Sequence, residues 1–196
     1  MEGGANMHNK PQIKLIFIVF ASCLFIFSPL LILLIPLFFP VTFFYEKYTW
    51  VYYTPSINHI LIGIAIGLLF LACITVIIIK KFKIMLPIVS TLTIGAIVLI
   101  VGSSVSYLKI TQDGMKFRYP FEMKENVYEW NELEKVEYYP ILYGTGRATY
   151  DVTFQDGKSF EFSENGDVLL IRSKLKWVLF QHDISYRNMS TGHPIK

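Results

Sequence analysis

The sequence predicts three membrane-spanning helices followed by a small β-barrel of about six or seven antiparallel strands capped by one helix. Two observations carry this prediction. The 196 residues are 53% hydrophobic and only 17% charged, and three long runs in the N-terminal half hold no charge. The last 88 residues contain 12 of the 18 Lys and Arg and 13 of the 15 Asp and Glu. A soluble domain usually carries about 25% charged residues, so we expect a transmembrane region over residues 1–108 and a water-facing region after it.

Each uncharged run is long enough to cross a bilayer as a helix. The runs cover 31, 32 and 25 residues, and about 20 apolar residues span the hydrocarbon core. We place the spans near residues 13–39, 57–79 and 84–107. Prolines in the first span predict a kink or an exit on its C-terminal side, because proline removes a backbone donor. They are Pro29, Pro36 and Pro40.

The connections between the spans are interpreted as interfacial segments. Aromatic residues cluster after the first span, and amphipathic rings favour the headgroup level, so we expect an aromatic belt there. Its members are Phe43, Phe44, Tyr45, Tyr48, Trp50, Tyr52 and Tyr53. Residues 80–83 join the second and third spans, which must therefore form an antiparallel hairpin. Gly63 and Gly67 lie four residues apart, a spacing that allows close approach of another helix from this chain or from a second copy in a homo-oligomer.

The predicted location is the cell membrane, with several passes. Positive charges near the spans are tied at five on each side, so the positive-inside rule leaves the orientation open. The lysines of the hairpin favour an inside N-terminus, which places the C-terminal region outside.

The content of the spans limits the classes of function. A transporter lines its path with polar or ionisable side chains, and the interiors of these spans hold no charge of either sign, so we interpret them as an anchor in the lipid bilayer. His59, near the start of the second span, is the titratable candidate. Composition excludes nucleic-acid binding. A component of a small-solute transporter and a membrane-embedded enzyme stay open as alternatives.

The C-terminal region carries the pattern of antiparallel β-structure. Asp113-Gly114 and Asp156-Gly157 each lie between alternating apolar and polar residues, which is the strongest short-range signal for a hairpin. Asp167 is the predicted N-cap of a helix that ends near His182. The apolar stripe of that helix is Val168, Ile171, Leu175, Val178 and Leu179.

These motifs resemble the bacterial pleckstrin-homology-like (PH-like) domains carried by small membrane proteins. The resemblance rests on ITQDGMKFRYP, on YDVTFQDGKSFEF, on the closing helix and on YEWNELEKVEYY, where Trp130, Leu133 and Val136 fit the family's tryptophan pattern. It covers residues 109–185 and leaves residues 186–196 as a flexible tail. It implies a fold more than a function. In that family the domain usually faces the cytoplasm, which opposes the orientation that the hairpin lysines favour.

Two residues are candidates for an interaction site. Arg147 follows a glycine-rich turn and could meet an anionic group. Trp130 could be an exposed binding residue, and the competing prediction places it in the core against the closing helix. Inositol-phosphate binding is disfavoured, because the first hairpin turn, residues 111–114, holds an acid and no base.

No catalytic, metal-binding or cofactor-binding residue is predicted. The C-terminal region has no cysteine, and His182-Asp183 is the pair that invites attention as part of a catalytic set. The four histidines lack the spacing of zinc ligands, and the glutamates of residues 122–137 lack the order of a calcium loop. We therefore expect a non-enzymatic protein that presents a PH-like domain at the membrane surface to a protein or peptide partner, as a scaffold or regulator.

Overall fold

The computed structural model describes residues 9–44, 46–141 and 146–190. The chain divides into two compact units. The helical unit comprises Met1–Pro40 and Ser56–Val105, and the sheet unit comprises Val41–Pro55 and Ser106–Lys196. The predicted division at residue 108 did not anticipate that the segment after the first helix belongs with the C-terminal part.

Three long apolar helices make up the described part of the helical unit, as predicted. They are α1 (Asn9–Phe43, whose last turn falls in the sheet unit), α2 (Ser56–Ile78) and α3 (Phe82–Ser104). By length and composition each can cross a membrane, over Lys14–Phe43, Ser56–Ile78 and Phe82–Ser104. The helices α1 and α2 run antiparallel. The Lys14 ammonium near the start of α1 donates a hydrogen bond to the Ile77 carbonyl oxygen near the end of α2, at 2.9 Å.

The helix α1 continues through its three prolines, so the exit predicted there does not occur. Pro36 has no N–H to donate to the carbonyl of Ile32, four residues earlier. His59 Nδ1 on α2 lies 2.9 Å from that carbonyl oxygen. Likewise the Ser28 hydroxyl donates, at 2.9 Å, to the carbonyl oxygen that Pro29 leaves without a helix partner. Such replacement bonds let a transmembrane helix tolerate proline.

Eight strands form two sheets in the described part of the sheet unit. The first sheet has the order β1-β2-β3-β4, and the second has the order β7-β6-β5-β8. The strands are β1 (Thr49–Tyr53), β2 (Tyr107–Thr111), β3 (Gly114–Arg118), β4 (Asn126–Glu129), β5 (Leu133–Tyr139), β6 (Thr149–Phe154), β7 (Ser159–Ser163) and β8 (Ser185–Asn188). The two Asp-Gly hairpins, β2–β3 and β6–β7, are confirmed.

The segment interpreted as an aromatic belt contains a strand of this domain. β1 pairs antiparallel with β2, with Tyr53 opposite Leu108. The side chains of Val51 and Tyr53 are buried in the core, and the Tyr53 hydroxyl accepts a hydrogen bond from the Ser163 N–H at 3.1 Å. The belt prediction is therefore wrong for residues 49–53, because the sheet satisfies their backbone groups and the core takes up alternate side chains.

A strand also occupies the start of the predicted tail. β8 pairs parallel with β5, with Lys135 opposite Ser185. A parallel neighbour needs a crossover connection, and the chain between β7 and β8 supplies one through the helix α4 (Gly166–Gln181). The tail was predicted over residues 186–196. Of these, residues 191–196 lie outside the described part of the chain.

One buried core holds both sheets and α4 together. Side chains from every strand except β8, together with four from α4, belong to a single cluster. Stacked aromatic rings join the sheets: Phe117 and Phe160 have ring centroids 4.6 Å apart, and Tyr128 and Phe154 are 3.9 Å apart. The predicted closed barrel is corrected, because in the described residues no strand ladder connects one sheet to the other. The architecture is two packed sheets closed by a helix.

The N-cap of α4 is Asn165 rather than the predicted Asp167. The Asn165 side chain accepts a hydrogen bond from the Val168 N–H at 2.9 Å, which satisfies one free donor of the first turn. Asp167 lies inside that turn, where a negative charge is favourable near the positive end of the helix.

Candidate interaction surface

The helix α4 carries a second apolar stripe on the side away from the core. The predicted core stripe is confirmed, since four of its residues are buried and Ile171 packs against the cluster. The outer stripe consists of Leu169, Leu170, Trp177 and Phe180, which are 55%, 84%, 57% and 77% exposed. Spacings of three, seven and ten residues place Leu170, Trp177 and Phe180 on one helical face. Large exposed apolar side chains that share one helix face make this face a candidate interaction surface.

Two lysines border the outer stripe. The Lys174 ammonium lies 3.7 Å from the ring centroid of Trp50 in β1, and the Lys176 ammonium lies 5.2 Å from the ring of Tyr186 in β8. These contacts hold the two cations on opposite sides of the stripe. The surface therefore has an apolar centre with positive borders.

Trp130 is a core residue in this structure. It lies in a short 3-10 turn between β4 and β5 and is 2% exposed. Its indole N–H donates to the Gln112 carbonyl oxygen at 2.9 Å, and its ring stacks on that of Trp50, with centroids 6.1 Å apart. It belongs to the same buried cluster as Leu175 and Val178 of α4. This burial agrees with the core prediction and leaves little ring surface for a partner.

Arg147 and His182 are exposed, in different parts of the sheet unit. Arg147 precedes β6 and follows Gly146, which has a positive φ of 98°. The preceding residues 142–145, part of the glycine-rich turn of the prediction, lie outside the described part. His182 caps the end of α4 through its backbone N–H, which bonds the Val178 carbonyl oxygen.

The two glycines of α2 face different surroundings. A Cβ added to Gly63 would lie 3.7 Å from the Ile32 side chain of α1, so Gly63 contacts a helix of its own chain. A Cβ on Gly67 would meet no described atom within 4 Å. The neighbour of Gly63 is therefore a side chain of its own chain, at an ordinary van der Waals distance.

An ion-pair cluster lies on the outer face of the first sheet. The Lys109 side chain is 3% exposed, and its Nζ is 2.9 Å from a Glu125 oxygen and 3.3 Å from a Glu46 oxygen. The Lys116 ammonium binds Glu46 at 3.0 Å. Burial raises the pKa of the Glu46 carboxyl, but the hydrogen bonds and charges of Lys116 and Lys109 outweigh burial and hold the pKa below its ordinary value of 4.5. These ion pairs connect the segment after α1 to strands β2 and β3.

A second polar cluster links the other sheet to α4. Glu164 accepts hydrogen bonds from the hydroxyls of Tyr150, at 3.0 Å, and Tyr138, at 3.3 Å. The Arg172 guanidinium lies 3.8 Å from Glu164 and 4.7 Å from the Tyr138 ring. Burial, followed by the charge of Glu164, raises the pKa of both tyrosines, so their hydroxyls stay neutral donors. The cluster joins the second sheet to α4 through Arg172.

Among the described residues, no group of three or more His, Cys, Asp and Glu side chains is placed to hold a metal ion. The candidate surface is an apolar helix face with a lysine on either side. The sequence contains a signal for this face. The core-facing stripe of α4 is apolar, and four further large apolar residues lie outside that stripe: Leu169, Leu170, Trp177 and Phe180. A surface helix of a soluble domain usually has one apolar stripe.

Three helices that are long and apolar enough to cross a membrane, with two packed sheets in the C-terminal region, fit a multi-pass membrane protein. No model of a known protein family matches the sequence, and no curated protein matches it either.

Proposed function

We propose that this chain is a non-enzymatic protein of the cell membrane whose C-terminal PH-like domain binds an apolar, acid-flanked segment of a partner protein. The outer stripe of α4 is the observation that carries the proposal. Two packed sheets with a closing C-terminal helix support the PH-like assignment.

The composition of the stripe favours a protein partner. Trp and Phe are enriched at protein interfaces, where large rigid rings bury much area at little entropic cost. Here Trp177 and Phe180 are 57% and 77% exposed. By contrast, β5, β6 and β7 each place aromatic side chains in the core of the same domain. Exposed rings on one helix face are costly to keep in water unless a partner covers them.

The charges around the stripe define the chemistry of the partner. Lys174 and Lys176 border the apolar residues, and aromatic contacts hold each of them in place. Opposite charges across an interface raise the rate of association and select against wrong partners. A matching segment therefore has apolar side chains in its centre and Asp or Glu beside them.

The three helices hold the domain at the bilayer, where such a partner would be another membrane or membrane-bound protein. β1 lies before α2, and β2 follows α3. Two crossings return the chain to the side from which it started, so the pairing of β1 with β2 is consistent with α2 and α3 both crossing the membrane.

The test is site-specific photocrosslinking of the full chain in native membranes. A photoreactive residue at position 177 is expected to give a crosslink to one identified protein, and the same residue at exposed Glu161 on β7 serves as the control. The partner is then purified and titrated against the full chain. Trp177→Ala is expected to weaken binding by about thirtyfold, as for a central aromatic contact, and Lys174→Glu to slow association in low salt.

Each other outcome contradicts the proposal. Crosslinks from position 177 to lipid alone would assign the stripe to the bilayer, and crosslinks to a second copy of this chain would make it a homo-oligomer interface. Equal affinity of wild type and Trp177→Ala would remove the stripe from the interface. Since Trp177 is exposed, its truncation should change stability by less than about 0.5 kcal/mol, so loss of binding would not reflect unfolding.

A further inference from the structure

Arg118, at the end of β3, is a cation without a carboxylate partner in the described part of the sheet unit. The neighbouring cations Lys109 and Lys116 are both bound by Glu46. No described carboxylate lies within ion-pair distance of Arg118, and its buried Nε donates to no described acceptor. A guanidinium is always charged, and no described carboxylate compensates the charge of Arg118.

Aromatic rings hold the Arg118 side chain in place. Its guanidinium carbon lies 5.2 Å from the ring centroid of Phe44 and 5.6 Å from that of Tyr107. The two rings are themselves in contact, with centroids 4.8 Å apart. The guanidinium is thus fixed in direction while the residue stays partly exposed.

These contacts place Arg118 where the chain leaves two candidate membrane spans. Phe44 directly follows Phe43, the last residue of α1, and Tyr107 comes three residues after Ser104, the last residue of α3. Tyr107 is also the register partner of Arg118 in the β2–β3 hairpin. A side chain beside the exits of two spans lies at the level of the lipid headgroups.

The loop after Arg118 exposes large apolar side chains at the same end of the hairpin. Phe121 is 55% exposed and Met123 is 95% exposed. Phe121 has a positive φ of 67°, a conformation that is uncommon for a bulky residue. Glu122 braces the loop, because its carboxylate accepts hydrogen bonds from the Tyr119 N–H and from the Asn126 side chain.

We propose that Arg118 and the loop of residues 119–125 form a binding site for the phosphate group of an anionic phospholipid. The terminal nitrogens of the guanidinium bind phosphate oxygens, and Phe121 and Met123 enter the boundary of the acyl chains. Arginine suits this task because its planar fork matches phosphate geometry and it is weakly hydrated. A free phosphate ion offers the same charge but gives the two exposed apolar side chains nothing to bind.

The test uses the full chain in uncharged detergent and native mass spectrometry. The protein is titrated with phosphatidylglycerol and, separately, with phosphatidylcholine of the same acyl chains. Wild type is expected to bind phosphatidylglycerol at least about tenfold more tightly, the effect of one charged hydrogen-bonded contact. Arg118→Gln should abolish that preference, and the matched control Arg187→Gln, at an exposed arginine of the same unit, should keep it.

Further measurements distinguish a phospholipid from free phosphate as the ligand. They also distinguish loss of lipid binding from loss of folding. Inorganic phosphate at millimolar concentration is expected not to displace the lipid; displacement would overturn the lipid assignment. The double variant Phe121→Ser with Met123→Ser, at exposed positions, should weaken the binding of both lipids and leave the ratio of their affinities unchanged. If Arg118→Gln does not fold, Arg118→Lys keeps the charge without the fork and should lower the ratio. No preference in wild type, or an unchanged ratio in the Arg118 variant, overturns the proposal.

Discussion

Replacing His59 by leucine is expected to destabilise the helical unit, because it removes a hydrogen bond between α2 and α1. His59 Nδ1 lies 2.9 Å from the carbonyl oxygen of Ile32, which has no helix donor because Pro36 occupies position i+4. A carbonyl acceptor requires that Nδ1 carry the proton. His59→Leu removes this donor and leaves the carbonyl unpaired.

The expected cost is about 1 kcal/mol. Hydrogen bonds between transmembrane helices average roughly 0.6 kcal/mol and reach about 1.7 kcal/mol. The value here should lie above the average, since the usual alternative donor, the backbone N–H at position 36, does not exist. In the Pro36→Ala background that N–H is restored, so His59→Leu should then cost close to zero.

The assay is a double-mutant cycle on the full chain, unfolded from mild detergent by an anionic detergent and followed by circular dichroism. A coupling of about 1 kcal/mol corresponds to roughly a fivefold change in the ratio of folded to unfolded protein. Thr75→Val, which removes a hydroxyl bonded within its own helix, serves as the control for loss of a polar group in α2. Equal costs of His59→Leu in both backgrounds would refute the reasoning.

Three other predictions concern the sheet unit. Trp130→Ala should cost about 3–5 kcal/mol in denaturant unfolding of the full chain, because the indole is buried; a loss as small as that of Trp177→Ala would contradict the core assignment. Residues 41–55 joined by a flexible linker to residues 106–196 should give a strand-rich, protease-resistant domain, and residues 106–196 alone should not; equal resistance of both would refute a structural role of β1. The Glu46 contribution to stability should be complete above about pH 4.5 and disappear as pH falls through the lower folded pKa, so Glu46→Gln should flatten the acid side of a stability–pH profile; an unchanged slope would argue against its ion pairs.

The parts of the fold that the sequence predicts well are those whose pattern has a single physical cause. Uncharged apolar runs of 25 or more residues are typical of membrane-spanning helices, and Asp-Gly between alternating residues strongly favours a tight hairpin turn. The core stripe of α4 was predictable for the same reason, because only a helix brings Val168, Leu175 and Leu179 to one face.

The prediction failed where two causes give the same pattern. The residues TWVYY suit an interfacial belt and a strand equally, and the contact that decides between them is with a strand more than 50 positions later. β8 is a short polar segment, and its pairing depends on where α4 delivers the chain. Both Asn165 and Asp167 are good N-caps, and the Val168 N–H selects the first.

The sequence prediction did not include the exposed apolar face of α4. The family pattern contains Trp130, which is buried, whereas Trp177 is exposed. Burial follows from the packing of two sheets, which a single sequence does not display. Arg118 is one of the positive charges near the spans, and only the structure shows that Glu46 binds Lys109 and Lys116 and not Arg118.

The separation of β1 from β2 has a consequence for biosynthesis. β1 is translated before α2 and α3, and its partner follows only after both, with contacts such as Glu46 to Lys109 bridging 63 positions. At roughly 5 to 20 residues per second, the ribosome needs several seconds to supply the missing strand. If either helix failed to insert, β2 would emerge on the opposite side of the bilayer from β1, and the core would lack Val51 and Tyr53. The pairing of β1 with β2 therefore requires that α2 and α3 have both inserted into the membrane. A chain with one helix not inserted would have an incomplete domain that is open to proteolysis.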